Sequence, residues 1–299
     1  MNFRLRWIAA AADEGKLLRE FLQEKQISKS ALTDIKFRGG ALIVNGEPVT
    51  VRYLLQKGDH IEVCFPKENP SAGLAAETFP LHVIYEDDYI LVVIKPAGMN
   101  TIPSREHPTG SLANGLIGYY SLKGVEATTH IVTRLDRDTS GIVLVAKHRH
   151  VHHLLSKQQK ENGVKRIYEA FAAGVFMGEK GIIEQPIARK SSSIIEREVH
   201  PEGQYACTYY RLIRQYEKFA HIELKLKTGR THQIRVHLSF IKHPLLGDDL
   251  YGGSVDMLER QALHCRELCF SHPISGEDLH FSAPMPNDMM DILHKSKLP

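Results

Sequence analysis

The chain is organised around the stretch Thr133-Arg134-Leu135-Asp136-Arg137-Asp138-Thr139-Ser140-Gly141, which runs directly into the apolar segment Ile142-Val143-Leu144-Val145-Ala146. A continuous apolar run of this length, between a Ser-Gly turn and Lys147, predicts a central strand that is buried on both faces. Asp136 stands between two arginines, and nearby cations favour the ionised form of a carboxylate. An ionised aspartate anchored to a core strand can act as a nucleophile or a general base, whereas a solvated turn would hold the same charges in surface ion pairs.

Composition limits the classes of protein to which this motif can belong. The 299 residues, of which 42% are hydrophobic, suffice for a sizeable core and predict one large domain with a smaller one. The formal net charge is +3, so binding to nucleic acid would need local basic patches. The chain has no apolar stretch as long as a membrane span and no signal-peptide pattern. We therefore expect a cytoplasmic protein with no membrane association.

Residues 1–66 have the pattern of a small αβ unit. The apolar spacing predicts one helix from Leu17 and a second helix that Ser28 or Ser30 caps, and Asn45-Gly46 predicts a hairpin. Three basic residues cluster near the second helix and are candidate RNA-binding residues: Lys29, Lys36 and Arg38. This unit resembles the S-four RNA-binding domain, named after a small-subunit ribosomal protein, although a plain αβ appendage has the same pattern.

Residues 67–80 lack sustained periodicity and are predicted to be a linker. From residue 81 onward, two apolar runs on either side of Asp87-Asp88 predict a β-hairpin. The hairpin ends in the turn sequence Lys95-Pro96-Ala97-Gly98. This change of pattern marks the start of the second predicted domain, residues 81–299.

Two further segments of the second domain carry polar residues with a definite placement. In the predicted strand from Val164, Arg166 and Tyr168 share one face because side chains alternate along a strand. In the segment Gly229 to Leu238, Thr231 is expected to cap a helix that places Arg235 beside its apolar face. A partly buried Arg235 requires an acidic partner.

Neither the histidines nor the cysteines form a convincing metal site. His148, His150, His152 and His153 open a predicted helix, but no carboxylate or cysteine completes a ligand set nearby, so we interpret them as solvated or RNA-facing. Cys265 and Cys269 lack the usual paired-cysteine turn of zinc sites. The four cysteines are too scattered for a disulfide framework and indicate free thiols.

The string Arg134-Leu135-Asp136-Arg137-Asp138-Thr139-Ser140-Gly141 closely resembles the active-site motif of the RluA-type RNA pseudouridine synthases. Lys95-Pro96-Ala97-Gly98, the Arg166-x-Tyr168 element and the Gly229-to-Leu238 string are similar to further motifs of this family, in the family's order. The resemblance implies an α+β fold, with a mixed, largely antiparallel sheet and flanking helices in the catalytic domain. A small αβ S-four-like domain would precede it.

The same resemblance implies the reaction and the roles of individual residues. Uridine in structured RNA, ribosomal RNA or transfer RNA alike, would be isomerised to pseudouridine. We expect the enzyme to act as a monomer without a cofactor or a metal. Asp136 would attack the sugar or remove a proton from it, Arg235 would pair with Asp136, and Tyr168 would stack on the uracil. Arg134 would fill the space that the flipped base leaves. The remaining candidate RNA-binding residues of this domain are Arg137, Arg166 and Arg230.

One position departs from the family pattern. The family most often has His immediately before Arg-Leu-Asp, where this chain has Thr133. We expect this difference to affect RNA recognition more than chemistry. Two other interpretations remain: an RNA-binding factor without catalysis on the same fold, and a glycosidase in which Asp138 supplies a second carboxylate.

Overall fold

The computed structural model describes residues 3–68, 73–125 and 127–297. Residues 69–72 of the predicted linker, Glu126, and the first and last two residues lie outside this description. Two sheets with separate hydrophobic clusters make up most of the chain. In the described ranges, no helix is long and apolar enough to cross a membrane.

The N-terminal unit is a four-stranded sheet covered by two helices. Asn45 and Gly46 both have positive φ, as the predicted hairpin turn requires, and Ser28 caps the second helix by accepting a hydrogen bond from Ala31 N. The sheet order is β1-β4-β2-β3. The elements in chain order are β1 (Arg4–Ile8), α1 (Leu18–Glu24), α2 (Lys29–Phe37), β2 (Ala41–Val44), β3 (Glu47–Pro48) and β4 (His60–Cys64), with a 3₁₀ turn at Ala11–Asp13.

The second sheet contains ten strands and carries the remaining helices. Its elements are β5 (His82–Glu86), β6 (Ile90–Lys95), α3 (Leu112–Leu122), β7 (His130–Ile131), β8 (Ser140–Ala146), α4 (Arg149–Lys160), β9 (Lys165–Ala173), β10 (Lys180–Glu184), β13 (Cys207–Gln215), β14 (Phe219–Leu226), α5 (Gln233–Phe240), β15 (Leu263–Ser271), β16 (Asp278–Ser282) and α6 (Asn287–Lys295). A separate pair, β11 (Ile187–Arg189) and β12 (Arg197–Val199), and a 3₁₀ turn at Asp249–Tyr251 complete the described chain.

The order of the main path is β10-β13-β14-β9-β15-β8-β6-β5, with β16 added to β15 and β7 added to β8. Among the strand pairs of the described residues, β15–β8 is parallel and the others are antiparallel. The expected α+β fold with a mixed, largely antiparallel sheet is therefore confirmed.

Strand β8 lies between β15 and β6 and is buried along its whole length, as predicted. Val143 and Val145 pack into the cluster that contains α3 and α5, whereas Ile142 and Leu144 pack into the cluster that contains α4. Ser140 and Gly141 belong to the strand, so the expected Ser-Gly turn is wrong. Gly141 has φ +123, and a Cβ there would lie 2.3 Å from Cys265 O, so this close crossing of β8 and β15 requires glycine.

The N-terminal unit packs against the large sheet through aromatic rings. Phe3 stacks on His148 with ring centroids 4.1 Å apart, and Phe65 stacks on His150 at 5.3 Å. Glu68 lies 2.6 Å from His130 Nε2 and 3.2 Å from His148 Nε2. His148 and His150 are therefore buried between the two parts, so the interpretation of these two residues as solvated or RNA-facing is wrong.

Candidate active site

A cleft of about 950 Å³ opens where the loop before β8 meets the start of α5. Its charges are strongly one-sided: among the described residues that line it, Asp136 is the one carboxylate and seven are cationic. The cations are Arg134, Arg137, Lys160, Arg166, Lys227, Arg230 and Arg235. Such a cleft attracts a polyanion and presents a single carboxylate to it.

The loop that carries Asp136 is held by hydrogen bonds to its backbone. Thr101 Oγ1 donates to Leu135 O at 2.6 Å and accepts from Leu135 N at 3.2 Å. Lys95 is fully buried, and its Nζ donates to three carbonyls: Pro96 O at 2.8 Å, Met99 O at 2.7 Å and Arg137 O at 2.9 Å. These contacts fix the backbone on both sides of Asp136, while its side chain stays 29% exposed to the cleft.

Burial lowers the pKa of Lys95 to about 7, although Asp138 and Asp136 act in the opposite direction. The three carbonyl acceptors match the three N–H donors of an ammonium group. Lys95 belongs to the Lys-Pro-Ala-Gly turn, so this motif holds the Asp136 loop in place through the hydrogen bond from Lys95 Nζ to Arg137 O.

Arg235 lies on α5 and is buried, as its place beside the apolar helix face predicted. Its closest partner is Asp248: Nε donates to Oδ2 at 2.8 Å, and Nη2 donates to Oδ1 at 2.7 Å. Asp136 is a more distant partner, with Nη1 3.5 Å from Oδ2. The expected pairing with Asp136 thus exists only as the third contact of a guanidinium that a fully buried Asp248 holds in place. Burial opposes the charge of Arg235, but the hydrogen bond and charge of Asp248, together with the charge of Asp136, raise the pKa of the arginine above its ordinary value.

Tyr168 lies on β9 in the wall of the cleft and is 4% exposed. Arg166 Nη1 donates to its hydroxyl at 3.3 Å, which confirms that the two side chains share a strand face. Burial raises the pKa of Tyr168 well above its ordinary value, so the phenol stays protonated at neutral pH. An uncharged ring in the cleft wall suits packing against a nucleobase.

The start of α5 differs from the expectation. Thr231 is not the N-cap; His232 occupies that position in the left-handed conformation, with φ 56°. The side chain of Gln233 accepts from Arg230 N at 3.0 Å and so holds the turn that precedes the helix. His232 is turned toward the site, with Nδ1 2.8 Å from Tyr251 Oη and Nε2 3.8 Å from Asp136 Oδ2.

Thr133, the departure from the family pattern, is fully buried and does not line the cleft. Its hydroxyl accepts from Leu144 N at 2.9 Å, so it fastens the loop to β8. In this chain the side chain at position 133 therefore has a structural role, which does not support the expected effect on RNA recognition.

The predicted RNA-binding residues divide into two groups. Arg134, Arg137, Arg166 and Arg230 line the cleft with Asp136, Tyr168 and Arg235. Lys29, Lys36 and Arg38 are exposed on α2 and its C-terminal cap, away from the cleft lining. Arg38 pairs with Asp34, with Nε 3.2 Å from Oδ1.

Sequence reasoning missed Asp248, His232 and Thr101 as parts of the site. Asp248 stands between Gly247 and Asp249, and an acidic residue within a glycine-rich turn was a signal that could have suggested a partner for the buried Arg235. His232 belongs to the quoted motif, but its left-handed backbone and the direction of its ring depend on Tyr251.

Comparisons with known proteins identify the family to which the chain belongs. The model of the RNA pseudouridylate synthase family matches residues 89–240, which include Asp136, Tyr168 and Arg235. The chain is 51% identical to the uncharacterized RNA pseudouridine synthase YjbO of Bacillus subtilis (strain 168), covering 92% of this chain and 98% of that protein. It is 38% identical to the ribosomal large subunit pseudouridine synthase D of Haemophilus influenzae, covering 80% and 78% of the two chains.

The fold is similar to that of a solved human structure, RNA pseudouridylate synthase domain containing 4. The TM-score is 0.59 at 24% identity, covering 73% of this chain and 94% of that one. The family match spans half of the chain, and the relatives cover most of it. The chain therefore belongs to the RluA-type RNA pseudouridine synthases and is an RNA-modifying isomerase.

Proposed function

We propose that this enzyme isomerises specific uridines in structured ribosomal RNA, with transfer RNA as the alternative substrate, and that Asp136 acts on a flipped-out uridine. The observation that carries the proposal is the cleft itself, in which one carboxylate lies among seven cations. The cations bind the phosphates on both sides of the target nucleotide, and Asp136 meets its sugar.

The target base must leave the RNA stack before Asp136 can reach its sugar. Flipping costs a few kcal/mol, and stacking on an aromatic ring returns about 1–3 kcal/mol per base. Tyr168, whose ring lies in the cleft wall beside Arg166, supplies that stacking surface. Arg134 is exposed at the cleft and fills the space that the base leaves.

Asp136 either attacks the sugar carbon or removes a proton from the sugar so that a glycal forms. In both routes the bond between the sugar and N1 of uracil breaks, the uracil rotates, and a bond to its C5 forms with loss of the C5 proton. If Asp136 has attacked the sugar, its bond to the sugar carbon breaks as C5 bonds to that carbon; if Asp136 has removed a sugar proton, that proton returns to the sugar in the same step. N1 ends with a proton, so atoms and electrons balance without an oxidant or reductant. Arg235 orients Asp136 through the contact at Oδ2.

We propose ribosomal RNA as the substrate because of the names of similar proteins. Pseudouridine synthase D of Haemophilus influenzae is named for the large ribosomal subunit, and its similarity extends over 80% of this chain. The exposed cations Lys29, Lys36 and Arg38 of the S-four-like unit would add a second RNA contact outside the cleft. We further propose that the enzyme works in the cytoplasm as a monomer.

Position-resolved mapping of pseudouridine tests the proposal. Ribosomal and transfer RNA are compared from cells with the protein, cells without it, and cells complemented by the wild-type chain or by Asp136→Asn. We expect specific ribosomal sites to vanish without the protein and to return only with the wild type. Asp136→Asn should fold and bind RNA like the wild type, because the carboxylate and the amide have nearly the same shape. Restoration of the sites by Asp136→Asn would refute the role of Asp136, and loss of transfer-RNA sites alone would refute the ribosomal substrate.

A further inference from the structure

The backbone of His232 has the left-handed conformation, which residues other than glycine adopt only at particular places in a fold. Its φ of 56° places it in the left-handed region at the N-cap of α5, and its side chain is 11% exposed. Left-handed backbone is uncommon for residues other than glycine, although histidine, like asparagine and aspartate, adopts it more often than most. The consequence is that the imidazole lies at the wall of the cleft beside Asp136 rather than pointing away from it.

The hydrogen bonds around Tyr251 determine which imidazole nitrogen carries the proton. Arg197 N can only donate, and it lies 2.9 Å from Tyr251 Oη, so that oxygen accepts. Among the hydrogen bonds of the described residues, His232 Nδ1, at 2.8 Å, is the acceptor available to the hydroxyl hydrogen of Tyr251, and a proton on Nδ1 would leave that hydrogen without this partner. Nδ1 therefore accepts, and the proton of the neutral imidazole lies on Nε2.

Nε2 faces Asp136 Oδ2 at 3.8 Å, and Arg235 Nη1 faces the same oxygen at 3.5 Å. Two donors from the start of α5 thus converge on one carboxylate oxygen. Both contacts are made to Oδ2, so Oδ1 of Asp136 is the oxygen available to the sugar. Separations in this range can tighten when the substrate is bound.

We propose that His232 is a positioning residue for Asp136: Tyr251 holds it as the Nε2–H tautomer, and its Nε2–H orients the carboxylate toward the sugar. This inference rests on the proposed role of Asp136. His232 does not itself exchange a proton with the substrate in this assignment.

Burial favours a neutral His232 ring. It is the largest cause and lowers the pKa of His232; Asp136 raises the pKa by less than burial lowers it, Arg235 and Arg197 add to the lowering, and Asp248 raises it slightly. The ring of Tyr251 also lies under the guanidinium of Arg235, 4.9 Å from Cζ to the ring centroid. Tyr251 therefore supports both donors of Asp136.

Two substitutions separate the Nε2 donor from the rest of the imidazole. In His232→Gln the amide nitrogen lies near the place of Nε2 and still reaches Asp136. In His232→Asn the amide group lies near the place of Nδ1, keeps the contact with Tyr251 and does not reach Asp136. Asparagine tolerates the left-handed backbone better than glutamine. Backbone strain alone would therefore make His232→Asn the more active variant, which is the opposite of the result that we expect.

The measurement is the single-turnover rate of pseudouridine formation in total RNA from cells that lack the protein. We expect His232→Gln to stay within about 10-fold of the wild type and His232→Asn to fall by about 100-fold or more, as when one preorganised donor is removed from an active site. The dissociation constant for RNA should be unchanged in both. Equal rates for the two variants would overturn the proposal.

A double-mutant cycle with Tyr251→Phe tests the tautomer. In the wild-type background, Tyr251→Phe lets the proton move to Nδ1 and should lower the rate by about 10-fold or more, because an imidazole without Nε2–H no longer donates to Asp136. An amide cannot change tautomer, so the same substitution in the His232→Gln background should cost much less. A purely structural role for Tyr251 predicts the same loss in both backgrounds and would overturn the assignment.

Asp136→Asn is the control that separates the two proposals. An active Asp136→Asn, or a wild type that forms no pseudouridine, refutes the proposed function and the role of His232 with it. An inactive Asp136→Asn together with equal rates for His232→Gln and His232→Asn refutes the role of His232 alone.

Discussion

At the scale of single residues, the burial of Arg235 and Asp248 dominates the energetics of the site. Asp248 is fully buried and its carboxylate is held by two hydrogen bonds from one guanidinium. Removing one partner of a buried pair leaves an uncompensated charge, which costs about 3–5 kcal/mol. We therefore expect Arg235→Ala to lower the free energy of unfolding by about that amount, measured by urea denaturation, and to lose activity because Asp136 also loses its cation.

The double variant Arg235→Met/Asp248→Leu is the matched control. Replacing both charges by apolar groups of similar size removes the unpaired carboxylate, so much of the lost stability should return while the enzyme stays inactive. An Arg235→Ala protein with the urea midpoint of the wild type would contradict the buried-pair assignment.

At this scale the sequence predicted that Arg235 is buried, but it did not predict which acidic residue pairs with it. Helix phase placed Arg235 beside an apolar face and correctly predicted its burial. Asp248 follows α5 in a turn whose path depends on Gly247, where a Cβ would lie 1.9 Å from Arg260 O. The acidic turn suggests a partner for Arg235, but local sequence does not specify that the chain path brings Asp248 to it, and the resemblance assigned the arginine to Asp136 alone.

At the scale of elements, strand β6 ends in the side chain that fastens the Asp136 loop. Lys95 Nζ donates to Arg137 O, which lies in the loop before β8, and to two carbonyls of the turn that follows Lys95 itself. We expect Lys95→Met to reduce both stability and turnover, because the Asp136 loop loses the hydrogen bonds from Lys95 Nζ, each of which contributes about 0.5–3 kcal/mol depending on the charge of the amine. Thermal unfolding and single-turnover rates measure the two effects.

Lys147→Met provides the comparison for Lys95→Met. Lys147 is also largely buried and donates to Glu86 Oε1 at 3.0 Å and to Asp87 O at 2.7 Å, but it makes these contacts at the other end of β8. It should lower stability and leave the rate per folded molecule near that of the wild type. If Lys95→Met kept the full turnover rate, the fastening role of Lys95 would be wrong.

At the scale of the whole molecule, two buried histidines lie where the N-terminal unit meets the large sheet. Burial lowers the pKa of His148 to about 3 and that of His150 to about 4, against an ordinary value of 6.5. Glu68 opposes this shift at His148, and His130, His150 and Arg149 reinforce it. Both rings pack against Phe65, so a charge on either ring would be placed in an aromatic contact.

These pKa values predict that the free energy of unfolding decreases at acidic pH because the two histidines at this junction become protonated. Between about pH 6.5 and pH 3 the unfolded chain binds more protons than the folded chain, so the free energy of unfolding falls as the pH falls. The slope should approach about 1.4 kcal/mol per pH unit for each histidine. His148→Phe, which keeps a ring against Phe3, should show a shallower slope in urea titrations across this range.

His153→Phe serves as the control, because His153 lies exposed on the same helix. It should change the pH dependence much less than His148→Phe does, because it removes only the lowering of the His150 pKa that the charge of His153 adds to that of burial. The same slope for wild type and His148→Phe would show that protonation of His148 does not govern acid stability.

The sequence by itself determined the elements and the chemical groups of this enzyme. The apolar run after Asp136 predicted a strand buried on both faces, Asn45-Gly46 predicted a hairpin, and the order of the motifs predicted the family. These signals are local: periodicity, turn chemistry and residue type act over a few neighbours.

Only the tertiary structure decided how those groups meet. Asp136 and Arg235 are 99 positions apart, and their contact depends on how β8 and α5 pack. The burial of His148 and His150 depends on where the N-terminal unit packs, and the direction of the His232 ring depends on Tyr251. Each of these outcomes is set by contacts between segments distant in sequence, and hydrophobic periodicity does not specify which distant surfaces pair.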